Sequence, residues 1–196
     1  MEEALGVLLP RMIGTRAAEV RVIDHRSKDR LLRELPRRLA GYAKRLAHED
    51  IRVLVAVDRD NEDCRVLKAR LEGIAEAAGL PTKSAPDARG CFRVVNRIVI
   101  EELEAWFFGD IPALRTAYPG IPASLARRTG LTDPDAIMGG TWERLLRELQ
   151  RSGHYRTLSR LPKMEVARKV AAAMTREGNT SRSFHHFLDG LEALLT

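Results

Sequence analysis

The run Val-Leu-Val-Ala-Val at 53 to 57, followed at once by Asp58-Arg59-Asp60, constrains the fold of this chain more than any other stretch. Five apolar residues without polar alternation predict a strand covered by helices on both faces, in the middle of a parallel sheet. Ligands in open α/β sheets bind beyond the carboxyl ends of the strands, so Asp58 and Asp60 stand where such a fold keeps its chemistry. Side chains two positions apart on an extended backbone point the same way, and two carboxylates so placed converge on one cation. Mg²⁺, which takes one or two carboxylates together with water and phosphate oxygens, suits the pattern. The alternative is a solvated turn whose acids cap the next helix.

The segments on either side repeat a strand-and-helix alternation. Residues 1 to 13 carry Leu5, Leu8, Leu9 and Met12 at helical spacing. Residues 20 to 23 read as a short strand, closed by Asp24-His25-Arg26-Ser27, and residues 28 to 48 as a long amphipathic helix interrupted by Pro36. Beyond the central strand, residues 62 to 78 form a helix that Gly79 ends and Pro81 stops. A polar loop leads to a β-rich segment at 92 to 100. The alternation predicts βαβ units and a mostly parallel sheet flanked by helices. From about residue 111 prolines and glycines punctuate short helices, near 141 to 151, 163 to 176 and 183 to 195, and no strand pattern returns. The expected organisation is an α/β domain over 1 to 110 with a helical extension over 111 to 196.

Composition narrows the class. With 44% hydrophobic and 31% charged residues the chain is globular, and no segment reads as a membrane span or a signal peptide. Cys64 and Cys91 stand far apart without histidines at metal spacing, which supports neither a zinc site nor a disulfide framework and fits a reducing cytoplasm. The net charge of +6, carried largely by arginine, tilts the partner toward phosphate-bearing polymers. There is no Walker loop, no Gly-x-Gly-x-x-Gly after a strand and no Gly-x-Ser-x-Gly elbow, so P-loop hydrolases and serine hydrolases are poor fits.

Several acids and bases follow the strands. Glu101, Glu102, Glu104 and Asp110 come directly after the second β-rich segment, and at least one is expected to face the Asp58/Asp60 mouth. Acids in a first helical turn also serve the macrodipole, an equally open reading. His25 and Lys28 lie at another strand end, as a base or phosphate donor or simply with local partners. Trp106, Phe107 and Phe108 read as core, and Thr180-Ser181-Arg182-Ser183 as the cap of the last helix.

These residues carry a resemblance. A buried strand ending in Asp-x-Asp between strand-and-helix units resembles the TOPRIM fold of topoisomerases, primases and overcoming-lysogenization-defect nucleases. Val-Asp-Arg-Asp-Asn-Glu-Asp-Cys at 57 to 64, Glu-Leu-Glu-Ala-Trp-Phe-Phe-Gly-Asp at 102 to 110 and Ser-Arg-Ser-Phe-His-His-Phe-Leu at 181 to 188 are similar to an uncharacterised bacterial family. That family is domain-of-unknown-function family forty-two seventy-six, grouped with TOPRIM-like domains. The resemblance implies Mg²⁺ or Mn²⁺ held by Asp58 and Asp60, with Glu104 as a further acid, for phosphoryl transfer on nucleic acid. It also implies an ATPase of the ABC or AAA class as a partner, in phage defence. The family opens with a strand and Glu-Glu-Pro-Ser-x-Glu, and the numbering here begins inside that motif at Met1-Glu2-Glu3. Two expectations stand: a start codon assigned late, or a protein without the first strand and its glutamate, with Glu2 or Glu3 as substitutes and an unpaired sheet edge that favours a homodimer.

The function expected is a Mg²⁺-dependent TOPRIM-like nuclease, with Asp58, Asp60 and Glu104 at the metal and Arg59, Arg97, Arg127, Arg128 and Arg182 positioning the backbone. The competing expectation is a non-catalytic module that docks on an ATPase or nucleic acid.

Overall fold

The structure, a computed structural model, describes every residue except 17, 18, 60, 61, 100 to 102, 138 and 139. The chain divides into two compact units, one of residues 25–99 with 186–196 and one of residues 1–24 with 100–185.

The first of these holds the sheet. Strands β1 (Val53–Asp58) and β2 (Val94–Val99) pair in parallel, with Val53 opposite Val94 and Asp58 opposite Val99. Parallel neighbours need a crossover, which helix α3 (Cys64–Ala77) supplies. Helix α2 (Lys28–Arg45) lies against α3. Its leucines recur every three to four residues, so Leu32, Leu35 and Leu39 share one face and meet Leu67, Leu71, Val55, Val57 and Val94 in a single core. Each helix starts on a side-chain cap. Ser27 accepts from the Arg30 amide, and Asp63 accepts from the amides of Arg65 and Val66. Gly79, at φ 71°, takes the left-handed turn that ends α3. The opposite face of β2 receives the end of α8 (Arg182–Leu195): Arg97 Nε donates to the His186 carbonyl at 2.6 Å, and Arg52 donates to that of Leu194.

Two expectations need correction here. Residues 20 to 23 are not a strand but irregular backbone, since four residues of β propensity make a strand only where a ladder partner accepts them. Nor is β1 the middle of the sheet: among the described residues it pairs with β2 alone. The inner strand is β2, which also bridges in parallel to Thr82 through Val94, and its Val94, Val95 and Val99 are fully buried.

The second unit is helical. It comprises α1 (Glu2–Ile13), α4 (Leu103–Gly109), α5 (Ile111–Ala117), α6 (Thr141–Arg151), α7 (Lys163–Ala171), the first turn of α8 and two short 3₁₀ turns, Ala123–Arg127 and Pro134–Ala136. Every residue of α4 is buried, which explains an apolar segment with no polar face. Trp106 meets Phe184 edge to face at 5.2 Å, and its indole N–H donates to Ser183 Oγ at 2.9 Å. Trp106, Phe107 and Phe108 are therefore core, as their sequence suggests. Helix α1 packs on α7, where Glu3 meets Arg168 at 3.2 Å and Arg11 donates to the Ala171 carbonyl at 2.7 Å.

Candidate functional site

Asp58 is the last residue of β1, half-buried, with its Cα partner Val99 closing β2 beside it. The ladder runs one step further, because the Arg59 amide donates to the Val99 carbonyl at 2.9 Å. Lys28, in the first turn of α2, reaches the same strand end. Its ammonium donates to the Arg59 carbonyl at 3.2 Å and pairs with Glu62 at 2.8 Å. Asp58 and Arg59, adjacent in the chain, and Lys28 from the helix that precedes them thus come to one end of the sheet. Asp60, Glu101 and Glu102 lie outside the described residues.

His25 is buried and its Nδ1 lies 3.0 Å from Glu34 Oε2, which makes it a turn histidine with a local partner. Arg97 is tied into the fold through the His186 carbonyl and, at 3.2 Å, through that of Asn96. Its burial disfavours the guanidinium charge.

The remaining candidates belong to the helical unit. Glu104 is 4% exposed, on the buried helix α4, and its carboxylate meets the Lys163 ammonium at 3.3 Å. Asp110 caps α5 through the Ala113 amide at 2.9 Å and also accepts from the Thr175 amide at 2.9 Å, so both of its oxygens hold backbone in place. Arg128 pairs with the buried Glu148, and Arg182 with Asp133 at 3.0 Å. Arg127 is exposed, Glu3 pairs with Arg168, and Glu2 sits in the first turn of α1, where an acid suits the helix dipole. Ser181 caps α8 by accepting from the Phe184 amide at 3.1 Å, and the hydroxyls of Ser181 and Ser183 both donate to Asp135 Oδ1 at 2.8 Å. Among the described residues no three acids, histidines or cysteines are gathered as a metal cluster.

The sequence did not single out Lys68, Glu72 and Asn96. Lys68 pairs with Glu72 at 2.6 Å and donates to the Asn96 carbonyl at 2.7 Å, while the buried Asn96 side chain donates to Glu72 at 3.1 Å. Burial alone would raise the Glu72 pKa, but hydrogen bonds from Lys68, Thr82 and Asn96 outweigh it and hold the carboxyl below its ordinary range. The Lys-x-x-x-Glu spacing on α3 was visible, but the asparagine that completes the group is 24 residues away on β2.

Fold and site together define a mixed α/β protein in which a small parallel sheet, flanked by helices, ends its first strand at Asp58, with Lys28 and Glu62 paired at the turn that follows. The chain belongs to the family described as Domain of unknown function (DUF4276), which matches residues 1–192. No curated protein and no solved structure matches it. Among the described residues no helix is long and apolar enough to cross a membrane.

Proposed function

We propose that the protein is a TOPRIM-like phosphodiesterase that cleaves nucleic acid with Mg²⁺ or Mn²⁺. One observation carries the proposal: Asp58 closes a parallel strand, with Arg59 following it and Lys28 bonded to the same turn. Hard carboxylate oxygens are the donors Mg²⁺ prefers, and the donor set fits it on that ground. Asp58 and Asp60 would hold the ion, with Glu104 assisting directly or through water. Glu104 would first have to loosen its pair with Lys163. When bound, the cation would stabilise charge that develops on the phosphoryl oxygens. Lys28 and Arg59 would neutralise the incoming phosphate at the strand end, and Arg97, Arg127, Arg128 and Arg182 would position the backbone. The expected ATPase partner and its place in phage defence rest on the resemblance, and self-association on the sheet edge that a missing first strand would leave unpaired.

The test is cleavage of labelled DNA and RNA by the wild type and by the Asp58→Asn/Asp60→Asn double variant. Metal-dependent cleavage should vanish in the variant while its melting temperature without metal stays close to that of the wild type. Undiminished cleavage in the variant would sink the proposal.

A second reading is a non-catalytic module that docks on nucleic acid or an ATPase. It is favoured by Glu104 and Asp110, whose carboxylates are engaged in holding the fold. A protein that binds its partner, cleaves nothing and gains no thermal stability from Mg²⁺ or Mn²⁺ would establish it.

A further inference from the structure

We infer that the solvent face of α2 is a docking surface for the phosphate backbone of a nucleic acid. The inference rests on the proposed function for the class of its partner, and not on hydrolysis. At 3.6 residues per turn, Arg30, Arg33, Arg37, Arg38, Lys44 and Arg45 fall on one side of the helix. Leu32, Leu35 and Leu39 take the other side and are 5%, 3% and 0% exposed. The arginines are not spread evenly in their partners. At the ends of the stripe, Arg30 pairs with Glu34 at 2.7 Å and Arg45 with Glu49. Between them, Arg33, Arg37 and Arg38 meet no carboxylate among the described residues, and Arg38 Nε is buried without a hydrogen-bond acceptor. Like charges at i and i+4, as in Arg33 and Arg37, cost helix stability, so the stripe is not explained by the fold it sits on.

Gly41 lies at the centre of this face. No atom comes within 4 Å of where its Cβ would stand, so packing does not demand a glycine there. It opens a concavity of about 510 Å³ whose walls include Arg33, Glu34, Arg37, Arg38, Tyr42 and Arg45, and the Glu34 carboxylate there is already engaged by Arg30 and His25. A glycine that bares helix backbone between guanidinium groups admits a bulky anion close to the helix.

The charge is extended rather than focal. From Arg33 to Arg45 the helix rises about 18 Å, against one phosphate every ~3.4 Å along each strand of a duplex, so the stripe faces a row of phosphates rather than one. Arginine, with its planar fork of donors, is the side chain that suits such oxygens. An anionic membrane would need apolar side chains beside the basic ones, and among the described residues the exposed large hydrophobics are Val20, Val66, Leu158 and Met164, none of them on α2.

The test is equilibrium binding of the full chain to labelled duplex DNA, single-stranded DNA and single-stranded RNA, in EDTA and across a salt series. The comparison is with the Arg33→Gln/Arg37→Gln/Arg38→Gln variant; Arg33 and Arg37 are exposed and Arg38 is half-buried, and none of the three pairs with a carboxylate among the described residues, so the melting temperature should stay close to that of the wild type. The wild type should bind at least one probe, and the variant should bind it about tenfold or more weakly, with the slope of log affinity against log salt reduced by about 3. Equal binding by the variant, or no binding of any probe by the wild type, overturns the inference. So does tighter, stripe-dependent binding to phosphatidylserine vesicles than to every nucleic acid. Binding without cleavage in Mg²⁺ supports the surface and counts only against hydrolysis. Cleavage together with variant binding like that of the wild type overturns the surface alone.

Discussion

Glu148 is only 3% exposed, yet it is a carboxylate, and its charge is answered from two sides by Arg128 and by Arg151 at 2.8 Å. With either arginine gone the other still faces it. With both gone an uncompensated charge is left in the interior of the helical unit. Arg128→Met and Arg151→Met should each cost about 1 kcal/mol and the double variant about 3 kcal/mol, more than the sum. Chemical denaturation of the four proteins measures this, and simple additivity would refute it. Arg128 is consequently a poor probe of nucleic-acid contact, because its loss disturbs the fold first. A second residue-scale prediction concerns tyrosines. Tyr155 donates to Glu165 at 2.7 Å, so the 2.9 Å contact between the two phenols must be a donation from Tyr118. Burial, reinforced by the bond to Tyr155, raises the pKa of Tyr118 well above its ordinary value near 10, and burial likewise raises that of Tyr155. In the unfolded chain both phenols ionise near pH 10, while in the fold they stay protonated. Stability is therefore complete below about pH 10 and is lost as pH rises toward the folded pKa values. The Tyr118→Phe/Tyr155→Phe variant should be less stable at neutral pH but show a shallower alkaline decline, read from denaturation midpoints between neutrality and about pH 11.

At the scale of elements, two glycines inside helices should respond in opposite directions to the same substitution. Gly41 in α2 faces open space, so Gly41→Ala should stabilise the protein by about 0.5–1 kcal/mol. Gly190 in α8 lies against β2, where an added Cβ would stand 2.6 Å from Arg97 Nε and 2.8 Å from Val95 Cγ1. Arg97 is held by the His186 carbonyl and Val95 is fully buried, so neither can yield freely. Gly190→Ala should cost about 1–3 kcal/mol. Thermal unfolding of both variants checks the pair, and a shift of the same sign in each would contradict it. The helices were legible in the sequence for the reason that makes α2 amphipathic: leucines at 32, 35 and 39 announce both the helix and its buried side. The apolar run 53 to 57 announced β1 for a similar reason, and the segment from 92 announced β2. Strand order was not legible. Residues 20 to 23 look no less β-like than many strands, but a ladder partner decides the matter, and partners are set by distant chain. The same limit hid the group of Lys68, Glu72 and Asn96, which joins α3 to β2.

At the scale of the whole molecule, the candidate site was legible in part. An apolar strand that stops at an acid placed Asp58 at the carboxyl end of β1, because the apolar run ends where the strand does. Glu104 was placed in a first helical turn, but its burial and its pairing with Lys163 follow from packing among helices that no local pattern describes. Metal-linked stability tests both residues without assuming how they are arranged. A cation that binds only the native state at a hundred times its Kd adds about 2.7 kcal/mol. For a chain of 196 residues that corresponds to a rise of roughly 5–10 °C in Tm. The wild type should show such a rise with Mg²⁺ or Mn²⁺, and Asp58→Asn/Asp60→Asn should show none. Glu104→Gln has two separable effects. It weakens the pair with Lys163, which lowers Tm with or without metal, and it removes an assisting ligand, which lowers the metal-dependent increment. Both should be seen if Glu104 serves the ion. An unchanged increment on a lowered baseline would assign Glu104 to Lys163 alone, and a wild type with no increment would remove the metal from Asp58 and leave the docking module standing.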